Sequence, residues 1–120
     1  MQDISLGVIE TKFAEIIWQN APLPSSSLVL LAQDALGWKK STTYTVLKRL
    51  CEKGIFENNG GTVTVKLSRD DFYTLQSQRF VQDTFQGSLP AFLAAFASGK
   101  RLSDQEVAQL RQLVQSFEEG

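Results

Sequence analysis

The chain contains no histidine, one cysteine and three prolines among its 120 residues. Without histidine, Ser-His-Asp triads, imidazole metal ligands and histidine acid/base catalysis are excluded by composition. The single thiol, Cys51, rules out an internal disulfide and a thiolate zinc cage. It fits a reducing compartment, with the cytoplasm as the expected location. The first ten residues, MQDISLGVIE, lack the basic and apolar regions of a signal peptide. No uncharged apolar run approaches the roughly 18 residues that a membrane span needs, so a soluble, unexported protein without membrane insertion is expected. A Gly-rich phosphate loop and a nucleophile–base pair are also missing, so no enzyme activity, cofactor or metal is expected.

Net charge is scarce as well. Twelve Lys and Arg stand against thirteen Asp and Glu, a balance of -1, which taken whole argues against a nucleic-acid partner. Its distribution argues otherwise. Residues 1–37 carry Lys12 against Asp3, Glu10, Glu15 and Asp34, and residues 67–120 carry an acidic excess of two. Between them, Lys39, Lys40, Lys48, Arg49, Lys53 and Lys66 face only Glu52 and Glu57, an excess of four positive charges. One basic stretch lies between acidic flanks.

The apolar pattern is mainly helical. Ile9, Phe13, Ile16 and Ile17 form one stripe, with Gly7 and Glu10 placed to start a helix over about 8–19. Asn20 to Pro24 cannot continue it, because proline lacks the amide donor and clashes with the preceding turn. Ser25 or Ser26 is expected to cap a second helix ending at Gly37, and Ser41 a third that runs to about Lys53 and stops at Gly54. In the third helix Thr43, Val46, Leu47, Leu50 and Cys51 gather on one side, while Ser41, Thr42, Thr45, Lys48, Arg49 and Glu52 gather on the other. The first side is core, which makes Cys51 a small buried hydrophobe and not a redox sensor. Ile55 to Glu57, a turn over Asn58 to Gly61, and Thr62 to Leu67 then read as a β-hairpin.

Three helices followed by a hairpin is the order of a winged helix-turn-helix. The expected fold is therefore mainly α with a small β-hairpin, a winged-helix domain over 1–69 followed by a helical C-terminal dimerisation arm over 70–120. In the arm, Asp70 or Asp71 is expected to cap a helix to about Gln86, and Ser88 with Pro90 a second to about Ser98. Ser103 and Glu106 form a capping box for the last, between Leu102 and Val107. The arm holds Phe80, Phe85, Leu89, Phe92, Leu93, Phe96, Leu110, Val114 and Phe117. That is more apolar surface than three short helices can bury alone, so pairing in a homodimer is expected.

A winged helix lays its third helix in the major groove and sets the hairpin against the adjacent backbone. The candidate DNA-binding residues are Lys39, Lys40 and Ser41 at the helix start, Thr42, Tyr44, Thr45, Lys48 and Arg49 along it, and Lys66 on the hairpin. Double-stranded operator DNA is the expected partner. A winged helix serving as a protein–protein adaptor without DNA binding is the alternative, with the basic face merely solvated. Trp18 and Trp38 are read as core anchors that pack the first helix against the turn before the third.

Several of these residues fall at spacings similar to those of a known family. Glu10 and Trp18 form E-x(7)-W, Trp38 follows twenty residues on, and Thr42 and Thr45 precede Leu47-x-Arg49-Leu50-x-x-Lys53-Gly54. Phe85-x-Gly87-Ser88 and Leu102-Ser103-x-x-Glu106 come downstream. Together, over nearly the whole chain, they resemble the penicillinase and methicillin-resistance repressors and the related copper-responsive repressors. The resemblance implies a repressor that binds a palindromic operator through its winged helix and pairs through its C-terminal helices. It also implies release by cleavage, with a membrane metalloprotease sensor acting in trans. Where that family is cut at an Asn-Phe bond this chain has Ala95-Phe96, the candidate cleavage bond. The cysteine-rich tail of the copper-responsive members is absent from Ser116 to Gly120, and the wing lacks the family's arginine and tyrosine.

Overall fold

The computed structural model describes residues 4–120. Met1, Gln2 and Asp3, part of the segment in which no signal peptide is expected, lie outside the described residues. The chain forms two compact units, one ending at Arg79 and one spanning Phe80–Gly120.

The first unit opens with α1 (Val8–Asn20), whose start is braced by the Glu10 carboxylate accepting the Gly7 N–H at 3.3 Å. Phe13 and Ile17 are buried and Ile16 packs against the core, whereas Ile9 at the first turn stays half exposed. After Ala21 the chain becomes extended as β1 (Leu23–Pro24), and α2 (Ser25–Leu36) follows at once. Pro24 thus occupies the cap position, so neither Ser25 nor Ser26 caps the helix as expected. Gly37, with φ of +69°, closes α2 in the left-handed conformation. Of the apolar run after Ser27, Leu28 and Ala32 are buried while Leu30 faces outward.

Helix α3 (Lys40–Glu52) also begins one residue before the expected cap, with Lys39 at the cap position and no side chain bonded there. Thr43 explains the shift: its N–H and its hydroxyl both donate to the Lys39 carbonyl, at 3.0 and 3.1 Å. Thr43, Val46, Leu47 and Leu50 are buried, as their side of the wheel requires. Strands β2 (Phe56–Asn59) and β3 (Thr62–Val65) form the hairpin with Phe56 opposite Val65 and Asn59 opposite Thr62. The two-residue link Gly60-Gly61 has φ of +59° and +96°, the positive pair that suits the twist of a tight hairpin.

The sheet has a third member. Leu23 pairs with Val63 and Pro24 with Thr62, giving the antiparallel order β1-β3-β2. Beneath it, Phe13, Ile17, Leu28, Leu47, Leu50, Ile55, Phe56, Val63 and Phe72 interlock as one core. Phe72 comes from α4 (Arg69–Phe85), whose start is capped by the Ser68 hydroxyl accepting the Asp71 N–H at 3.1 Å. Asp70 and Asp71 lie instead in the first turn, where their charge favours the helix dipole. Trp38 packs on Phe13 of α1, 4.9 Å between rings, as the anchor before α3. Trp18 turns the other way: it packs on Phe56, Phe72 and Tyr73, and its indole N–H donates to the Leu67 carbonyl at 3.0 Å.

The second unit takes the last turns of α4, then α5 (Leu89–Ala97) and α6 (Asp104–Glu118). Ser88 caps α5 by accepting the Ala91 N–H at 3.1 Å. The Ser103–Glu106 capping box closes α6 from both sides at 3.1 and 3.2 Å. Phe80, Phe85 and Phe92 stand edge to face, 5.6 to 6.1 Å apart. Among the described residues every fully buried side chain belongs to the first unit, and α5 and α6 contribute none. No helix among them is long and apolar enough to cross a membrane.

Candidate nucleic-acid interface

The face of α3 turned away from the core presents Lys40, Ser41, Thr42, Thr45, Lys48 and Arg49, all exposed, with Lys39 just before them. Its first N–H groups carry no side-chain cap, so the helix start offers free donors and a positive dipole end beside two lysines. Thr45, exposed on this face, returns its hydroxyl to the Ser41 carbonyl at 2.9 Å. Lys39, Lys40 and Lys48 make no ion pair with the described residues.

The basic stretch divides into two groups. Arg49 donates to the Glu10 carboxylate at 3.1 Å, and the Lys53 ammonium donates to the Ser5 carbonyl at 2.6 Å. These two cations brace the end of α3 against the start of α1. Burial opposes the charge on Glu10, but the Gly7 N–H, Arg49 and Lys53 outweigh it and hold its carboxyl below the usual carboxylate range. The remaining four, Lys39, Lys40, Lys48 and Lys66, point to solvent.

Lys48 of α3 and Lys66 beyond β3 line one groove of about 500 Å³, together with Tyr44, Leu47, Cys51, Phe56, Glu57 and Asn58. The fold thereby brings a cation of the helix and a cation of the hairpin to one surface, although eighteen positions separate them in sequence. Cys51, expected to be buried on the core side of α3, is only half-buried and lines this groove, because the hairpin covers that end of the helix incompletely. Burial, reinforced by Glu57 and Glu52, pushes its thiol up from the ordinary value. Tyr44 is half-buried on the groove wall, and its hydroxyl lies 3.0 Å from the Ser25 hydroxyl.

Three participants escape a reading of local sequence. Glu10 is 39 positions from the arginine it holds. Asn58 accepts the Gly61 N–H at 3.0 Å and so braces the hairpin tip. An Asn three residues before a turn glycine is a signal for this second contact. Ser25 bonds both the hairpin and α3, and no periodicity marks it. Among the described residues no cluster of acidic, cysteine or histidine side chains is placed to hold a metal.

Two comparisons with known proteins bear on this surface. The family model described as penicillinase repressor matches residues 6–116. The penicillinase repressor of Bacillus licheniformis is 23% identical over 110 residues, spanning 88% of this chain and 86% of the relative. Since the match runs from before α1 to within α6, the chain belongs to the penicillinase repressor family, a family of DNA-binding transcriptional repressors and not of enzymes.

Proposed function

We propose that the protein represses transcription as a homodimer on a palindromic operator, with α3 in the major groove and the hairpin against the neighbouring backbone. The functional division is a reading head over 1–69 and a pairing arm over 70–120, with the first turns of α4, whose Phe72 lies in the core of the first unit, serving the head as well. The observation that carries the reading is the shared groove along the middle and end of α3 in which Lys48 and Lys66 stand together, on a helix whose start is uncapped and flanked by Lys39 and Lys40. In this reading Lys39, Lys40 and Ser41 hold phosphate, Thr42 and Thr45 meet base edges, and Lys48 and Lys66 hold the flanking strand. Arg49 acts at the edge of this surface while bracing Glu10.

Pairing is supported by the arm's composition against its burial. Phe96 is 54% exposed and Phe117 67%, and Phe80, Leu89, Leu93 and Val114 are exposed as well. Phe85, Phe92 and Leu110 are half-buried. A second copy covers this surface and sets two heads about a dyad, as operator symmetry demands. Induction, in the same reading, cuts the exposed Ala95–Phe96 bond of α5 through a membrane metalloprotease sensor. A helical bond must unwind before a protease can take it.

A mobility shift on the DNA upstream of the protein's own gene tests the reading. The affinity is expected to fall steeply with salt. Lys40→Ala and Lys48→Ala are each expected to weaken binding across sequences and reduce the salt slope by about one. Salt-independent binding, or two silent substitutions, would overturn it and favour the adaptor role.

A further inference from the structure

Resting on the operator-binding reading above, we propose that Ser25 and Tyr44 are positioning residues that lock the hairpin to α3, with Tyr44 acting through Ser25 and not on a base. Ser25 is buried at the first turn of α2. Because Pro24 takes the cap position, the Ser25 hydroxyl is released from capping and meets the Tyr44 hydroxyl at 3.0 Å. The Ser25 N–H donates to the Gly61 carbonyl at 2.7 Å, and the Gly61 N–H donates to the Asn58 side chain at 3.0 Å. A continuous chain of hydrogen bonds therefore runs from the reading helix through Ser25 to the hairpin tip. The β1–β3 pairs at Leu23 and Pro24 bring the two segments together immediately before it.

The consequence for DNA is geometric. Base contacts depend on α3 and backbone contacts on the hairpin, and both must be satisfied by one rigid surface. The angle between helix and hairpin fixes how Lys48 and Lys66 face each other across their groove. Removing the Tyr44 hydroxyl leaves the phenyl ring in place but strands a buried Ser25 hydroxyl, which loosens that angle without deleting any phosphate contact.

The test uses the full-length protein and a duplex selected by the wild type from a random-sequence library, with a scrambled duplex of the same composition as reference. Tyr44→Phe and Ser25→Ala are each expected to lower the affinity ratio between the two duplexes about three- to tenfold, the range set by one intramolecular hydrogen bond. The double variant is expected to lose no more than either single one. The salt slope stays unchanged, and the amides of Thr62 and Val63 exchange with deuterium faster in all three variants. Additive losses, or a Tyr44→Phe loss confined to one base pair, would overturn the proposal in favour of a direct base contact. Unchanged amide exchange would overturn the coupling itself, whatever the DNA result. If the wild type selects no sequence while exchange still responds to Tyr44→Phe, the operator reading falls and the helix–hairpin coupling stands.

Discussion

Arg49 carries a charge on the polar face of α3, yet its partner is Glu10 on α1. The pair is partly exposed, so its contribution is modest: Glu10→Gln is expected to lower stability by about 0.2–1 kcal/mol at neutral pH in urea unfolding. Glu10 has a folded-state carboxyl held below the ordinary range. Its stabilisation is therefore complete above that range and is lost as pH falls through the lowered value. The difference between wild type and Glu10→Gln should vanish in acid, and a constant difference down to pH 3 would contradict the assignment. Cys51 shifts the opposite way, because burial, Glu57 and Glu52 disfavour its thiolate. Its contribution is complete below the ordinary thiol value and is lost as pH climbs through the raised one. At neutral pH the folded protein should react with a thiol-specific disulfide reagent more slowly than the urea-unfolded chain. Equal rates would place the thiol in open solvent.

At the level of elements, the helix limits and the hairpin were legible because their signals are local. Gly37, Gly54 and Gly87 stop helices, Ser103 with Glu106 starts one, and Gly60-Gly61 turns the chain. The sequence was less informative wherever several polar residues compete for one role. Ser25, Ser41 and Asp70 all suit a cap, but Pro24, Lys39 and Ser68 hold the positions, decided by where β1, Thr43 and Leu67 place the backbone. Strand β1 was invisible for another reason: two residues, one a proline, carry no alternation and become a strand only against β3. The polar face of α3 was legible from its wheel, whereas the diversion of Arg49 and Lys53 toward α1 depends on contacts 39 and 48 positions apart. The hairpin tip offers a direct check. Gly61→Ala forces a side chain onto φ of +96°, so it should cost about 1–3 kcal/mol in thermal unfolding. A neutral result would mean that the turn relaxes to another geometry.

For the molecule as a whole, burial is one-sided: the first unit has a closed core and the second has no fully buried side chain among the described residues. In the proposed dimer, association would supply the burial that this unit lacks by itself. Sedimentation should give twice the chain mass, and Phe96→Asp should return a monomer whose head remains folded and whose operator affinity falls with the loss of the second head. A stable wild-type monomer would sink the pairing. The aromatic side chains have a further consequence. Trp18, Trp38, Tyr44 and Tyr73 are the only tryptophans and tyrosines of the chain, and all four lie in the first unit. The molecule thus wears its optical labels on one half. Unwinding of the other half is dark to intrinsic fluorescence and visible only in far-ultraviolet dichroism. A titration followed by fluorescence alone would count a separated chain with an intact head as fully native protein.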